Sequence, residues 1–323
     1  MHNRFLVGDW GKNFRAFTPK ILRRSDALMM RLAKSFGRGY FKFVIPNFLI
    51  YSVFLIYPMV SAFYLSMTNW NGASAEINFI GLANFAKLFT YDRLSSGIVN
   101  TFKIVLFSVI LQNLIALIFA LFLDSSIKTK NILRTLLFIP IVLSPLVTSY
   151  MWSYMFNYDF GVINKALEAI GLGALRVDWL GNLNVAIYSV AWVNVWKSFG
   201  LQMVIFLAAM QNIQPDIMEA SRIDGAGKFR QIVEMTIPLI APAFTINIIQ
   251  TTIISLRTFE TVFIMTQGGP ANATQTIATV TYNEAYQYSR MGMSTAIGLV
   301  LFLFTAIVAI IQAVALRKKE VEF

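Results

Sequence analysis

Two polar stripes set into long apolar stretches carry the side chains of this sequence that could do chemistry. Asn194, Lys197, Ser198 and Leu201 follow i, i+3, i+4, i+7, and Thr251, Ile254, Ser255 and Thr258 repeat that spacing, with Asn247 one turn earlier. Residues so spaced share one face of a helix. Amides, hydroxyls and an ammonium on such faces either line a polar path or hydrogen-bond one helix to the next. Three cations, Lys103, Lys197 and Arg257, lie in the apolar stretches against a single acid, Glu260. Arg257 and Glu260 are i, i+3 and are expected to pair. Lys197 is then left without a partner, and an unpaired cation lining a cavity favours an anionic solute. Lys103 lies near a span edge and is expected to snorkel.

Other chemistries fall away. The chain has no cysteine, which excludes disulfides, thiolate catalysis and cysteine-held metals. Its one histidine is His2, at the chain start, and the apolar stretches hold no paired carboxylates for acid–base work. No G-x-x-x-x-G-K-[ST] phosphate loop occurs, so ATP is not expected to bind here. No metal site and no cofactor are expected in this chain.

A third feature is polar throughout. The segment Glu219 to Pro238 separates two apolar stretches. Pro215 can open a short helix, with Asp216 and Glu219 favourable in its first turns. Gly225 and Gly227 permit a sharp reversal, and a second helix from about Lys228 carries Phe229, Ile232, Val233 and Ile237 towards Pro238. Two short helices meeting at an angle, with small residues at the tip, form a knob that another surface can approach closely.

The elements that hold these features are membrane helices. Hydrophobic residues make up 57% and charged residues 13% of the 323, and the mean hydropathy is +0.62. A helix needs roughly 20 mostly apolar residues to cross the hydrocarbon core. Segments 43–67, 98–123, 132–156, 184–211, 239–266 and 292–316 qualify. Pro46, Pro58, Pro140 and Pro145 fall within them and are expected to kink them. The expected fold is an all-α integral membrane protein, a six-helix transmembrane bundle with one cytoplasmic knob. Its domains are a basic N-terminal segment over 1–42, the bundle over 43–316 with the knob loop at 212–238, and a tail over 317–323.

Charge gives the orientation. Of 27 Lys and Arg, ten lie before the first span, three in the 124–134 turn, three in the 212–237 loop and three in the tail. The opposite loops hold Lys87, Arg93, Lys165, Arg176 and Arg290. The positive-inside rule places both termini and the knob in the cytoplasm. The net charge of +11 is this bias, and no nucleic-acid partner is expected. The basic N-terminal segment reads either as an amphipathic helix on the inner leaflet or as a tail that only fixes topology. Among the opposite loops, segment 159–173 reads as a short amphipathic helix closed by glycine.

The knob resembles the cytoplasmic loop of binding-protein-dependent ABC importer permeases, whose pattern is E-A-A-x-x-x-G, about nine residues, then I-x-L-P. Glu219, Ala220 and Gly225 match, and Ile-Asp-Gly-Ala at 223–226 is similar to the sugar-importer version. Ser221 replaces the second alanine, and Thr236-Ile237-Pro238 stands for T-L-P. Leu256 to Pro270, Tyr282-Asn-Glu-Ala-Tyr286 and Pro46 to Trp70 also resemble carbohydrate permeases, including the alginate and oligosaccharide type. The resemblance implies that the knob is a coupling helix seated on a separate ATPase subunit, with Glu219, Ala220, Ser221, Asp224 and Gly225 at the contact. It also implies a sugar path lined by Asn194, Lys197, Ser198, Thr251, Ser255 and Thr258, with Trp192 and Trp196 as an aromatic platform. The partners implied are a second permease subunit, two ATP-binding subunits that hold ATP and Mg, an extracytoplasmic solute-binding protein, and membrane lipid. Neutral and acidic oligosaccharides both remain open as substrate. A secondary transporter or channel subunit for a small polar solute is the alternative; the first expects ionisable relays or internal repeats, for which only Glu260 is available, and the second does not need the Glu219–Pro238 pattern.

Overall fold

The computed structural model describes residues 44–125 and 128–318. The basic segment over 1–42 and the last five residues of the tail lie outside the described residues. The chain divides after Ser61 into two units. Helix α1, Val44–Ser66, supplies the described part of the first, in which no residue from 44 to 61 is buried.

In the second unit, α2 (Ala83–Leu88) precedes α3 (Asp92–Leu123), and α4 (Lys130–Val142) precedes α5 (Pro145–Met155). After α6 (Val162–Ala169) come α7 (Ala186–Gln211), α8 (Pro215–Ile223), α9 (Lys228–Leu239) and α10 (Ala241–Leu256). The last helices are α11 (Glu260–Met265), α12 (Ile277–Tyr286) and α13 (Met291–Arg317). The fold is all-α. Among the described residues, helices α1, α3, α7 and α13 are each long and apolar enough to cross a membrane alone, and counting each of the bent pairs α4–α5 and α9–α10 as one span gives up to six.

Proline accounts for the broken spans. Between α4 and α5 the chain bends by 100°, so the stretch expected as a span over 132–156 is two helices rather than one kinked helix. Ser144 precedes Pro145 and is extended (φ −63°, ψ 149°), as the proline ring requires of the residue before it. Its hydroxyl then caps α5 by accepting from the Val147 amide. The α9–α10 bend of 67° falls at Ile240, beside Pro242 at the start of α10. The expected span over 239–266 also ends early, at Leu256, before the chain re-enters a helix at Glu260. Two other prolines widen a turn. The amides of Tyr57 and Ile237, each just before a proline, donate to carbonyls five residues back, at Ser52 and Ile232. The ring that follows crowds the carbonyl four residues back, and a π-turn relieves the clash.

Packing centres on α3 and α7. Ala116 and Ala120 of α3 meet Met203, Phe206 and Leu207 of α7 in a core that Ile240 and Ala243 complete, with Phe206 and Phe244 rings 4.6 Å apart. Small residues let helices approach closely where lipid supplies no hydrophobic drive. Gly200 does the same between α7 and α4, where an added Cβ would sit 2.3 Å from the Leu137 carbonyl oxygen. At the end of the bundle away from α8, Asn100 of α3 donates to the Asn272 and Gln275 carbonyls, at 3.0 and 3.1 Å. The Ile277 amide donates to Thr101 at 3.1 Å. These bonds fix the turn between α11 and α12 against α3.

Candidate functional site

Helices α7 and α10 flank the knob in sequence and meet in space. Between them opens a cavity of about 280 Å³, and Asn194, Lys197, Ser198, Thr251, Ser255 and Thr258 all line it. The two helical stripes therefore face one another across a single space. Gln112 of α3 and Arg257, Glu260 and Thr261 around the α10–α11 break add further polar groups to the wall, and Pro145 of α5 with Ile253 and Ile254 of α10 supplies its apolar part. Thr261 donates to the Asn194 Oδ1 at 2.7 Å, which orients that amide and leaves its buried Nδ2 with no protein acceptor. Asn247 is different. It is fully buried, and its amide donates to the Gln202 backbone carbonyl at 3.2 Å, holding α10 to α7. Interhelical bonding thus accounts for Asn247, and Thr251 likewise accepts from the Gln202 side chain at 3.5 Å while it lines the cavity with the other five.

Two expectations need correction. Arg257 and Glu260 do not form an ion pair, because α10 ends at Leu256 and the residues between them are not helical. The i, i+3 rule holds only along a continuous helix. Thr276 fixes the break by donating to the Thr258 carbonyl at 2.9 Å. Trp192 and Trp196 do not line the cavity either. They pack beside Trp152 and Phe156, with the Trp196 and Trp152 rings edge to face at 5.4 Å.

The knob is built as the glycines suggest. Pro215 takes the first position of α8, and Gly225 adopts φ +78° just past its end. The Gly225 amide donates to Arg222 O at 3.0 Å and the Ala226 amide to Ser221 O at 2.9 Å. This is the paired closure of a Schellman cap, which needs a left-handed residue at that point. Glu219, Ala220, Asp224 and Gly225 are exposed, as are Ile223 (86%) and Phe229 (80%). Two large apolar side chains are thus left bare on the surface of a short polar hairpin. Ser221, expected on that surface, turns inward instead. It is buried, donates to Met218 O at 2.8 Å and accepts from Gln231 of α9 at 3.0 Å, so it joins the two helices.

One cluster at the opposite end escaped the sequence reading. The Glu284 carboxylate of α12 is fully buried, pairs with Arg290 at 2.8 Å and accepts from the Tyr91 hydroxyl. Arg93 lies over the Tyr288 ring at 4.7 Å. Burial, then the hydrogen bond to Glu284 and its charge, hold the Tyr91 phenol above its ordinary value. The signal available was a lone acid six residues before an arginine, which by itself indicates nothing. The cluster ties the start of α3 to α12 and to the start of α13.

Broken helices around a polar cavity, joined to an exposed helical knob, define the transmembrane subunit of a transport system. A sequence profile for binding-protein-dependent transport system inner membrane components matches residues 112–321. The chain belongs to that family. It is 31% identical over 296 residues, 91% of this chain and 100% of the relative, to a probable starch degradation products transport system permease protein, AmyD, of Thermoanaerobacterium thermosulfurigenes. It is 30% identical over 259 residues, 80% of this chain and 87% of the relative, to the trehalose/maltose transport system permease protein MalF of Thermococcus litoralis. A solved bacterial ABC transporter involved in the import of the acidic polysaccharide alginate has a chain of the same fold (TM-score 0.76, 23% identity), covering 89% of this chain and 99% of that one.

Proposed function

We propose that this chain is a non-catalytic permease subunit of an ATP-driven carbohydrate importer, and that its cavity is part of the sugar path. The observation that carries the reading is the junction of cavity and knob. The helices that supply Asn194, Lys197, Ser198, Thr251, Ser255 and Thr258 to one cavity are those that enter and leave the α8–α9 hairpin. A push on the hairpin moves both cavity walls, because α9 runs through a single bend into α10. The names of the relatives, for starch products and for trehalose and maltose, support a carbohydrate. Hydroxyls and amides suit a sugar because each both donates and accepts.

In this reading Glu219, Ala220, Asp224 and Gly225, with Ile223 and Phe229, meet a cytoplasmic ATPase subunit, and Ser221 shapes the knob from within. Two such subunits hold ATP and Mg. A second permease subunit closes the path, and an extracytoplasmic binding protein delivers the sugar. Both termini face the cytoplasm, and lipid surrounds the spans. The test is purification of the chain in mild detergent with its co-expressed partners, followed by ATP hydrolysis in proteoliposomes with and without sugar-loaded binding protein. An ATPase chain that co-purifies and is stimulated by the loaded protein is the expected result. Absence of any ATPase partner overturns the reading.

A further inference from the structure

We propose that the cavity takes an anionic saccharide and that Lys197 is the residue that reads its charge. The inference rests on the permease reading above and narrows it. Lys197 sits near the middle of α7, about 17 Å along the axis from the first residue at 1.5 Å per residue. Ionisable groups at such depth face a cavity or a paired charge. Lys197 has the cavity without the pair. Among the described residues the ion pairs within 4.0 Å are Arg176–Glu168, Arg230–Glu234 and Arg290–Glu284, none of them at the cavity. Glu260, the one carboxylate on the wall, pairs with neither Lys197 nor Arg257. Two cations face one anion, which leaves a single positive charge that the described residues do not answer.

The hydrogen-bond inventory points the same way. With its Oδ1 taken by Thr261, Asn194 is left with unused donors alone, on an Nδ2 that is itself buried. Lys197, three residues on and on the same helix face, offers only donors too. A hydroxyl of a neutral sugar meets the Lys197 ammonium with a dipole only. A carboxylate or phosphate oxygen on the sugar meets it with a charge-assisted bond.

The test uses the whole transporter with its co-purified partners in proteoliposomes. Uptake of a labelled oligouronate, a hexose phosphate and a neutral oligosaccharide is compared in wild type, Lys197→Met and Lys197→Arg. Wild type is expected to import one of the anionic sugars, the first two probes separating carboxylate from phosphate. Lys197→Met should lower that uptake by roughly tenfold or more, the ratio for one lost charge-assisted bond, while Lys197→Arg keeps most of it. Normal co-purification of Lys197→Met with its partners separates this loss from misassembly. Import of the neutral sugar alone, or anion uptake unchanged in Lys197→Met, overturns the proposal and leaves the permease reading standing. Failure of every sugar in a transporter that lacks an ATPase partner removes the permease reading and this proposal with it.

Discussion

Gly225 sits at φ +78°, and an added Cβ there meets nothing within 4 Å. Steric contact inside the chain therefore contributes nothing to the effect of Gly225→Ala, and the backbone alone decides it. The left-handed conformation is disfavoured for an L-residue by about 1–2 kcal/mol. Reduced freedom of the unfolded chain offsets about 0.4–1 kcal/mol of that. A net penalty near 1 kcal/mol corresponds to about a fivefold rise in opening of the cap. The amides that report it are those of residues 225 and 226, bonded to Arg222 O and Ser221 O. Hydrogen exchange at these amides should quicken by about that factor in Gly225→Ala, and by less in Gly225→Asn, because asparagine tolerates the left-handed region. Substrate-stimulated ATP hydrolysis should fall in the same order. The opposite order, with the larger asparagine worse than alanine, would refute the reasoning, since it would mean that the glycine is needed for space against a partner. Gly227 is the control. Its φ is −68° and its Cβ direction is also open, so Gly227→Ala should leave exchange unchanged.

Three further outcomes follow from the packing. Ser221→Ala leaves the buried Gln231 amide without its acceptor, about 1–3 kcal/mol against the hairpin. Proteolysis of the 215–231 hairpin should quicken, and unchanged protection with weakened ATPase docking would place Ser221 on the partner face after all. Gly200→Ala forces a methyl against the Leu137 carbonyl of α4, an overpacking effect of about 1–3 kcal/mol that should lower the melting temperature of the purified complex. Tyr91 carries a raised phenol, so its share of stability is full below the ordinary tyrosine value and is lost as pH rises through the raised one. Glu284→Gln should flatten the fall in thermal stability across about pH 10 and lower the baseline by breaking the Arg290 pair.

Periodicity made much of the cavity legible. The i, i+3, i+4 spacing of two stripes is a local property, and a helix carries it unchanged into the folded chain, so six residues 64 positions apart at the extremes arrive at one wall. Proline chemistry made the break before Pro145 legible as well, though not its angle, which depends on what α4 and α5 pack against. Pro242 was an equally plain signal for the bend at Ile240. The misreadings share a cause. Arg257 and Glu260 are separated because Thr276 captures the Thr258 carbonyl from 18 residues further on. Ser221 turns inward because Gln231 lies across the hairpin. Trp196 is drawn from the cavity by Trp152 of another helix. Thr276 and Trp152 lie on other segments, and Gln231 lies across the hairpin turn, where spacing along a single helix does not reach.

The central claim is that the exposed face of the α8–α9 hairpin receives the ATPase that drives the cavity. The chain has no cysteine, so single cysteines can be placed without background. Ala220→Cys and Ile223→Cys on that face, Ser221→Cys buried within it, and Val162→Cys on α6 at the opposite end form the series. With the partners co-expressed, a short thiol-to-amine cross-linker should join the ATPase chain to residues 220 and 223 and to neither of the others. Cross-linking of the ATPase at residue 162, or its absence at both 220 and 223 in an assembled transporter, would contradict the account.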